Sequence, residues 1–381
     1  MSIAKRAKES LKDLLLGSLR PAQRFFLGLH GAQQEVTVWF HGMGAPLDVT
    51  NHHSMACASP LTICVAFKTG TVLGEQTLRG VSLRFCERDG KRRLLGTIGL
   101  KYSGISIPTS GPVLYFFQVS GARSYCLPSI HLWMSYVQRS YQNWRHSLPP
   151  NTVTLSFLEM RAMEVLFICP RPIGVASVQE NSRGNMFPMN VMGALEEGYL
   201  GFGLKDARSP FHLVDRTRRI ALSTIPMQHG DLGFKLGPNH SKKNGIDWND
   251  LPFATKASPK FGIPIPAFAF RVREMEVELA RPLGSHVFFV GRVVGDERFS
   301  EGVEWGVIHG HYQALRLKSR PGEIESPPHR LGRGEEPVDL RQVEGLHRRH
   351  HARTSRADPG HRDGSGDSRT NRSCKTNARG Q

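Results

Sequence analysis

Three short apolar runs joined by turns, between Cys169 and Leu204, constrain the fold of this chain most strongly. The turn between the first two runs is Glu180-Asn-Ser-Arg-Gly184. Runs rich in β-branched residues and bounded by Asn and Gly are typical of strands joined by hairpins. The sequence therefore predicts an antiparallel meander, a unit that builds β-barrels. The three runs are residues 171–178, 185–192 and 199–204.

A similar pattern occurs in the first half of the chain. Asp48 and Ile63 are fifteen positions apart, and so are Asn185 and Leu200. This equal spacing predicts two copies of one β unit. The earlier runs are residues 35–40, 48–50 and 60–67.

Length and composition limit the possible partners. The 381 residues suffice for two domains, each with its own core. The net charge is +17, of which residues 317–381 contribute +5, so a body of +12 favours an anionic partner such as a phosphorylated cofactor. The charges are scattered rather than gathered in a stripe, so nucleic acid is not an expected partner.

The cysteines and the hydropathy of the chain indicate its expected location in the cell. The six cysteines form no CxxC pair, which argues against a cysteine zinc site and fits a reducing cytoplasm. No stretch of about 18 uncharged apolar residues occurs, so membrane insertion is not expected.

The texture of the sequence divides the chain into four segments. Residues 317–381 contain no aromatic residue and are rich in Arg, Gly and Pro, which predicts disorder. We predict a helical segment at residues 1–28, a β-rich domain at 29–150, a second β domain at 151–316 and a disordered tail at 317–381.

The second β domain resembles a known family. Residues 169–316 resemble the flavin reductase-like, FMN-binding split-barrel domains, and the first half resembles them in outline, as a divergent second copy. The stretches that carry the resemblance are Arg171–Val178, Gly184, Asn185–Asn190, Leu283–Val294 and His309–Tyr312.

The resemblance implies a mainly β (α+β) fold, an antiparallel split β-barrel with accessory helices, and here two barrels in one chain. It also implies FMN held in a groove at a subunit interface. In this chain, either a homodimer or an internal pseudo-dimer would supply that interface.

The resemblance also implies where the flavin binds. The bend after the second strand of the barrel would hold it, with Asn190 at the isoalloxazine edge and Gly193 permitting close approach of the backbone. The residues of this bend are Met189, Asn190, Val191, Met192 and Gly193.

One departure from the family concerns the phosphate. Related domains have Ser or Thr and a Pro-Pro pair near this bend, whereas this chain has Glu196 and Glu197. Because carboxylates repel a phosphate, either they point away or other residues hold the phosphate. The candidates in the following segments are Lys205, Arg208, Ser209 and Arg218.

Three histidines need separate interpretation. His286 matches a histidine that lies near the flavin or nicotinamide in related reductases, and it is the expected catalytic residue; a structural role is the alternative. His309 and His311 alternate along a predicted strand and share a face. With no third ligand apparent in the sequence, we predict no metal site.

The predicted function is that of an FMN-binding, flavin reductase-like oxidoreductase that passes hydride or electrons from NADH or NADPH through the flavin. Flavin and nicotinamide nucleotides are the expected partners. The alternatives are a redox-inactive split barrel that binds another anionic ligand or nucleic acid, and a flavin electron carrier.

Overall fold

The structure is a computed structural model that describes residues 24–29, 35–88, 92–126, 130, 133, 137, 155–205, 209–242 and 245–319. The fold is mainly β, as the sequence predicts. Within the described residues, no helix has the length and apolar character needed to span a membrane.

The first half consists of one N-terminal strand followed by seven strands of one sheet. These strands are β1 (Arg24–Leu29), β2 (Val36–His41), β3 (Leu47–Asp48), β4 (His53–Ala58), β5 (Leu61–Phe67), β6 (Ser82–Glu87), β7 (Leu94–Pro108) and β8 (Val113–Ser124).

The second half begins with a helix and contains a second seven-stranded sheet. Its elements are α1 (Phe157–Leu166), β9 (Arg171–Pro172), β10 (Gly174–Glu180), β11 (Arg183–Met189), β12 (Met192–Glu196), β13 (Tyr199–Leu204), α2 (Ser209–Thr217), β14 (Arg219–Thr224), α3 (Gly230–Lys235), β15 (Thr255–Ala257), β16 (Pro264–Pro266), β17 (Arg271–Leu283), β18 (His286–Arg298), β19 (Glu304–His309) and α4 (Gly310–Ser319).

The two large sheets have the same strand order. The first is ordered β3-β2-β6-β7-β8-β5-β4 and the second β11-β10-β14-β17-β18-β13-β12. When the seven strands of each sheet are numbered in chain order, starting from β2 and from β10, both orders read 2-1-5-6-7-4-3. The chain therefore contains two structurally equivalent antiparallel sheets.

Local irregularities repeat as well. A β-bulge follows the Met55–Ile63 pair in the first sheet, and a bulge follows the Ala194–Leu200 pair in the second. The hairpin beyond this bulge is two residues longer in the first half, with four residues between Cys57 and Thr62 against two between Glu196 and Tyr199. Ile63 is thus equivalent to Leu200. Because the shorter hairpin of the second half lies between the two positions, the residue of the second half that is equivalent to Asp48 is residue 187 rather than Asn185.

Burial along the central strands shows two cores on opposite faces. Every residue of β5 is buried. Ile63 and Val65 point into the first barrel, whereas Cys64 and Ala66 point toward the second sheet. Because strand side chains alternate between faces, a strand covered on both sides reads as a continuous apolar run.

We call the contact between the sheets the inter-sheet cluster. Both sheets contribute, and its central aromatic pair is Phe116 and Phe288, whose ring centroids are 5.6 Å apart in an edge-to-face arrangement. The buried members are Ala56, Cys57, Cys64, Ala66, Leu114 and Phe116 of the first sheet and Leu195, Leu283, Phe288 and Val290 of the second.

Helix α1 connects the two halves. A capping box fixes its start, since the Ser156 side chain accepts from the Glu159 backbone and Glu159 accepts from the Ser156 backbone. Glu159 Oε1 also accepts a hydrogen bond of 2.8 Å from the backbone N–H of Leu61 in β5. The helix that opens the second half is thereby attached to the first sheet.

Three segments differ from the sequence predictions or fall outside them. Residues 24–28, predicted to be helical, belong to β1, which pairs with β19. His311 lies in α4 rather than on a strand with His309, because the chain turns into a helix at Gly310. Residues 1–23 and 320–381 lie outside the described residues.

Truncating one ring of the aromatic pair tests the inter-sheet cluster. Phe116→Ala removes a fully buried ring and is expected to lower the free energy of unfolding by about 3–5 kcal/mol. Phe157→Ala, at a half-exposed position of α1, should cost less than about 1 kcal/mol. Urea unfolding measures both values, and equal losses would contradict the assigned core.

Candidate functional site

The backbones of the two sheets come into close contact where β12 passes β4. A Cβ atom added at Gly193 would lie 2.5 Å from the carbonyl oxygen of His53 and 3.1 Å from Ser54 Cα. Gly193 is equivalent to Ser54, because each lies one residue before the matching bulge pair. Equivalent residues therefore meet, as they do on a two-fold axis.

The predicted bend lies beside this crossing. The backbone N–H of Gly203 donates to the carbonyl oxygen of Val191 at 2.9 Å. A Cβ added at Gly203 would lie 3.1 Å from Val191 Cγ1 and 3.7 Å from His286 Cδ2. It would also lie 3.2 Å from the carbonyl oxygen of Ala56 in the first sheet. Val191, Gly203 and His286 are thus brought together against β4.

His286 opens β18 and is buried between the sheets. Its Nδ1 lies 2.8 Å from Ser285 Oγ and 4.0 Å from the Sγ atom of Cys57, a residue of the first half. The Ser285 hydroxyl orients the imidazole, and the Cys57 thiol lies beside it at the contact between the halves.

Lys205 and Asn190 lie at the accessible edge of this region. Leu204 pairs with Val287, so Lys205 follows directly at the level of His286. Both Lys205 and Asn190 are half-buried, whereas Met189 and Met192 are buried in the core of the second barrel. Of the predicted bend, Asn190 and Val191 are the residues with side chains that remain accessible.

Arg218 does not join this group. Its carbonyl oxygen accepts from the backbone N–H of Val277, and Val277 pairs with Gly291, five residues from His286 along β18. That separation is about 16 Å. The Arg218 side chain instead pairs with Asp215 at 2.9 Å. Arg208 and the side chain of Ser209 lie outside the described residues.

The two carboxylates lie away from the bend. Glu196 is the last residue of β12 and pairs with Tyr199, and Glu197 is exposed in the hairpin that follows. Four residues of strand separate Glu196 from Met192, about 13 Å. The two carboxylates therefore lie further along the hairpin than the residues of the bend.

A buried pair that the sequence did not indicate joins the two halves at the bend. Arg171 Nη1 donates to the carbonyl oxygen of Met192 at 3.2 Å, and its Nη2 lies 3.4 Å from His53 Nε2. His53 Nδ1 lies 2.7 Å from the carbonyl oxygen of Val49. A neutral imidazole with its proton on Nδ1 satisfies both contacts.

Electrostatics favour the same protonation state. Burial, and then the neighbouring positive charge of Arg171, lower the pKa of His53 to about 3. Burial also lowers the pKa of Arg171, although a guanidinium keeps its charge in proteins. The interface therefore holds one buried cation next to a neutral imidazole.

The first sheet holds partial counterparts of the site. From the strand registers, Asn51 is equivalent to Asn190 and Lys68 to Lys205. The backbone N–H of Ala66 donates to the carbonyl oxygen of His52 at 2.8 Å, which matches the Gly203–Val191 bond. Pro112 stands at the position of His286. The copies share the bend and the lysine, and they differ in the histidine.

The arrangement offers an amide at Asn190, an ammonium at Lys205 and an imidazole at His286 along one edge between two sheets. An ammonium suits a phosphate, and an amide supplies a donor and an acceptor for the polar edge of a ring. These residues fit FMN, which has both a phosphate and a ring with a polar edge.

No protein-family model and no curated protein matches the chain. Solved structures do match. The chain resembles flavin-binding proteins. An FMN-binding protein from Thermus thermophilus is 24% identical with a TM-score of 0.32, over 40% of this chain and 81% of that one. An NADH:FAD oxidoreductase from Streptomyces globisporus is 17% identical with a TM-score of 0.36, over 43% and 95%.

Flavoredoxin from Methanosarcina acetivorans is also similar, at 13% identity and a TM-score of 0.32, over 39% of this chain and 75% of that one. These matches agree with the resemblance predicted from the sequence.

Adding a methyl group at the crossing tests the close approach of the sheets. Gly193→Ala places a Cβ against the His53 backbone, so the strands must separate, at an expected cost of about 1–3 kcal/mol in unfolding free energy. Gly121→Ala is the matched control, because a Cβ there meets no atom within 4 Å. Urea unfolding of both variants decides; an unaffected Gly193→Ala would contradict the geometry.

The depressed pKa of His53 predicts a pH effect. In the unfolded chain His53 takes up a proton near pH 6.5, whereas the folded chain resists until about pH 3. The stability that depends on neutral His53 is thus present above pH 6.5 and lost as the pH falls. The wild-type free energy of unfolding should fall about 1.4 kcal/mol per pH unit more steeply than that of His53→Gln in this window.

The exposed His212 provides the control. His212→Gln should retain the wild-type slope when unfolding is measured between pH 4 and pH 7. Parallel slopes for wild type and His53→Gln would show that His53 ionises in the folded protein.

Proposed function

We propose that the chain binds FMN at the edge formed by Asn190, Val191, Lys205 and His286 and acts as a flavin reductase-like oxidoreductase. The observation that carries the proposal is the convergence of the bend, the end of β13 and the start of β18 against β4 of the other sheet. In this proposal the site is shared between two equivalent sheets inside one chain.

Each residue has a task in this proposal. Lys205 neutralises the phosphate, since a flexible ammonium serves as a point charge for phosphate groups. Asn190 hydrogen-bonds the ring edge through its amide. Gly193 lets the backbones of β12 and β4 meet, which holds the bend in place. His286, oriented by Ser285, faces the ring and is the proposed catalytic residue.

When bound, the flavin supplies the redox chemistry, and the protein supplies binding, orientation and the electrostatic environment. We propose NADH or NADPH as the electron donor. A nicotinamide nucleotide and a flavin are both anionic, and the basic balance of the chain, +17, favours such ligands.

The remaining proposals concern organisation. We propose an internal pseudo-dimer, in which residues 29–150 and 151–316 act as the two subunits of a split-barrel pair; the inter-sheet cluster supports it. We propose a cytoplasmic location, which the free cysteines of the described part, Cys57, Cys64, Cys86, Cys126 and Cys169, support.

Ligand pairs test the site most sharply. FMN and riboflavin differ in the phosphate, so Lys205→Ala should weaken FMN binding by at least about tenfold, as expected for loss of a charged hydrogen bond, and leave riboflavin binding unchanged. Asn190→Ala should weaken both ligands. Quenching of flavin fluorescence by the full chain measures each affinity.

The first half supplies matched controls. Lys68→Ala and Asn51→Ala change the equivalent positions and should leave FMN affinity unaltered. Absence of quenching by the wild type would refute the flavin site. If FMN binds but the chain oxidises neither NADH nor NADPH in steady-state assays, the protein is a flavin carrier rather than a reductase.

A further inference from the structure

A second group of chemically active side chains lies away from the proposed flavin site. Glu164, His309 and His311 are all buried, and one ligand atom from each lies within 4.8 Å of the other two. The two imidazole rings meet edge to face with centroids 4.5 Å apart. The flavin proposal uses none of these residues.

The three residues come from three different elements. Glu164 lies on α1, the helix between the two halves, His309 ends β19, and His311 lies in the first turn of α4. The backbone N–H of His309 donates to the carbonyl oxygen of Phe167 at 2.9 Å. This bond holds the end of β19 against the end of α1, so the cluster has a fixed frame.

The histidines are suitable donors. The backbone N–H of His311 donates to His309 Nδ1 at 3.2 Å, so this nitrogen is unprotonated and carries a lone pair. Metal ligands need that state, because imidazole binds cations in its neutral form. A coordinate bond at this nitrogen would take the place of that hydrogen bond.

The donor set selects a class of ion. Two imidazole nitrogens and one carboxylate suit divalent transition metals such as Zn²⁺ and Fe²⁺, whereas Ca²⁺ and Mg²⁺ prefer oxygen ligands throughout. Burial of all three residues gives a substrate no direct access. The bound ion would therefore act structurally, as a link between α1, β19 and α4.

We propose that Glu164, His309 and His311 form a binding site for one divalent transition-metal ion, which fastens the connecting helix to the C-terminal strand and helix. The sequence did not indicate this site because Glu164 precedes His309 by 145 positions. The third ligand becomes apparent only when the fold places α1 against β19.

Zinc reconstitution of the full chain tests the proposal. After removal of metals with a chelator, the protein is titrated with Zn²⁺ against a chromophoric chelator and its metal content is measured by mass spectrometry. We expect one equivalent of Zn²⁺ per chain. Glu164→Gln, which keeps the side-chain size, and His311→Gln should each weaken binding by at least about tenfold, and His212→Gln should not.

A spectroscopic measurement on the wild type covers the case in which the buried variants fail to fold. Co²⁺ substituted into the site should give d–d bands of nitrogen and oxygen ligation without a thiolate charge-transfer band. A thiolate band would place the ion at the cysteines and overturn the proposal. So would the absence of stoichiometric Zn²⁺, or a folded Glu164→Gln variant with wild-type affinity.

Discussion

The close approach of β4 and β12 at Ser54 and Gly193 is the constraint on which the rest of the structure depends. A side chain at residue 193 has no room beside the His53 backbone, so the crossing requires glycine on one strand. Ser54 then reaches across and donates to the carbonyl oxygen of Gly201 at 3.2 Å. The contact of Gly193 with the His53 backbone sets the distance between the sheets and lets the inter-sheet cluster pack.

Two cores on either side of one set of strands explain which features the sequence could reveal. The apolar run 61–67 and the run that begins at Val287 predict strands, but a continuous run does not say what covers its second face. In the structure, successive residues alternate between two cores: Phe288 packs in the inter-sheet cluster and Phe289 packs in the core of the second barrel. Which core each residue enters can be seen only when the equivalent sheet is in place.

The candidate site divides in the same way. The family pattern points to the bend and to His286, and Lys205 is proposed as a nearby cation in the segment after the third strand; these residues stay predictions. The contact of Arg171 with His53 joins residues 118 positions apart, and no periodicity marks such a pair. The equivalence of Asn51 with Asn190 was hidden by the two extra residues in the hairpin after β4, which shift any comparison at constant spacing.

The differences between the two copies bear on the proposed flavin site more than the similarities do. Asn51 and Lys68 are exposed, whereas Asn190 and Lys205 are half-buried, so the same residue types meet different dielectric surroundings and interact more strongly in the second copy. The first copy has Pro112 where the second has His286, and a proline ring can neither donate nor accept a proton. The first half thus keeps the scaffold, the asparagine and the lysine but not the histidine, and in the flavin proposal it serves as the wall against which the edge of the second half is built.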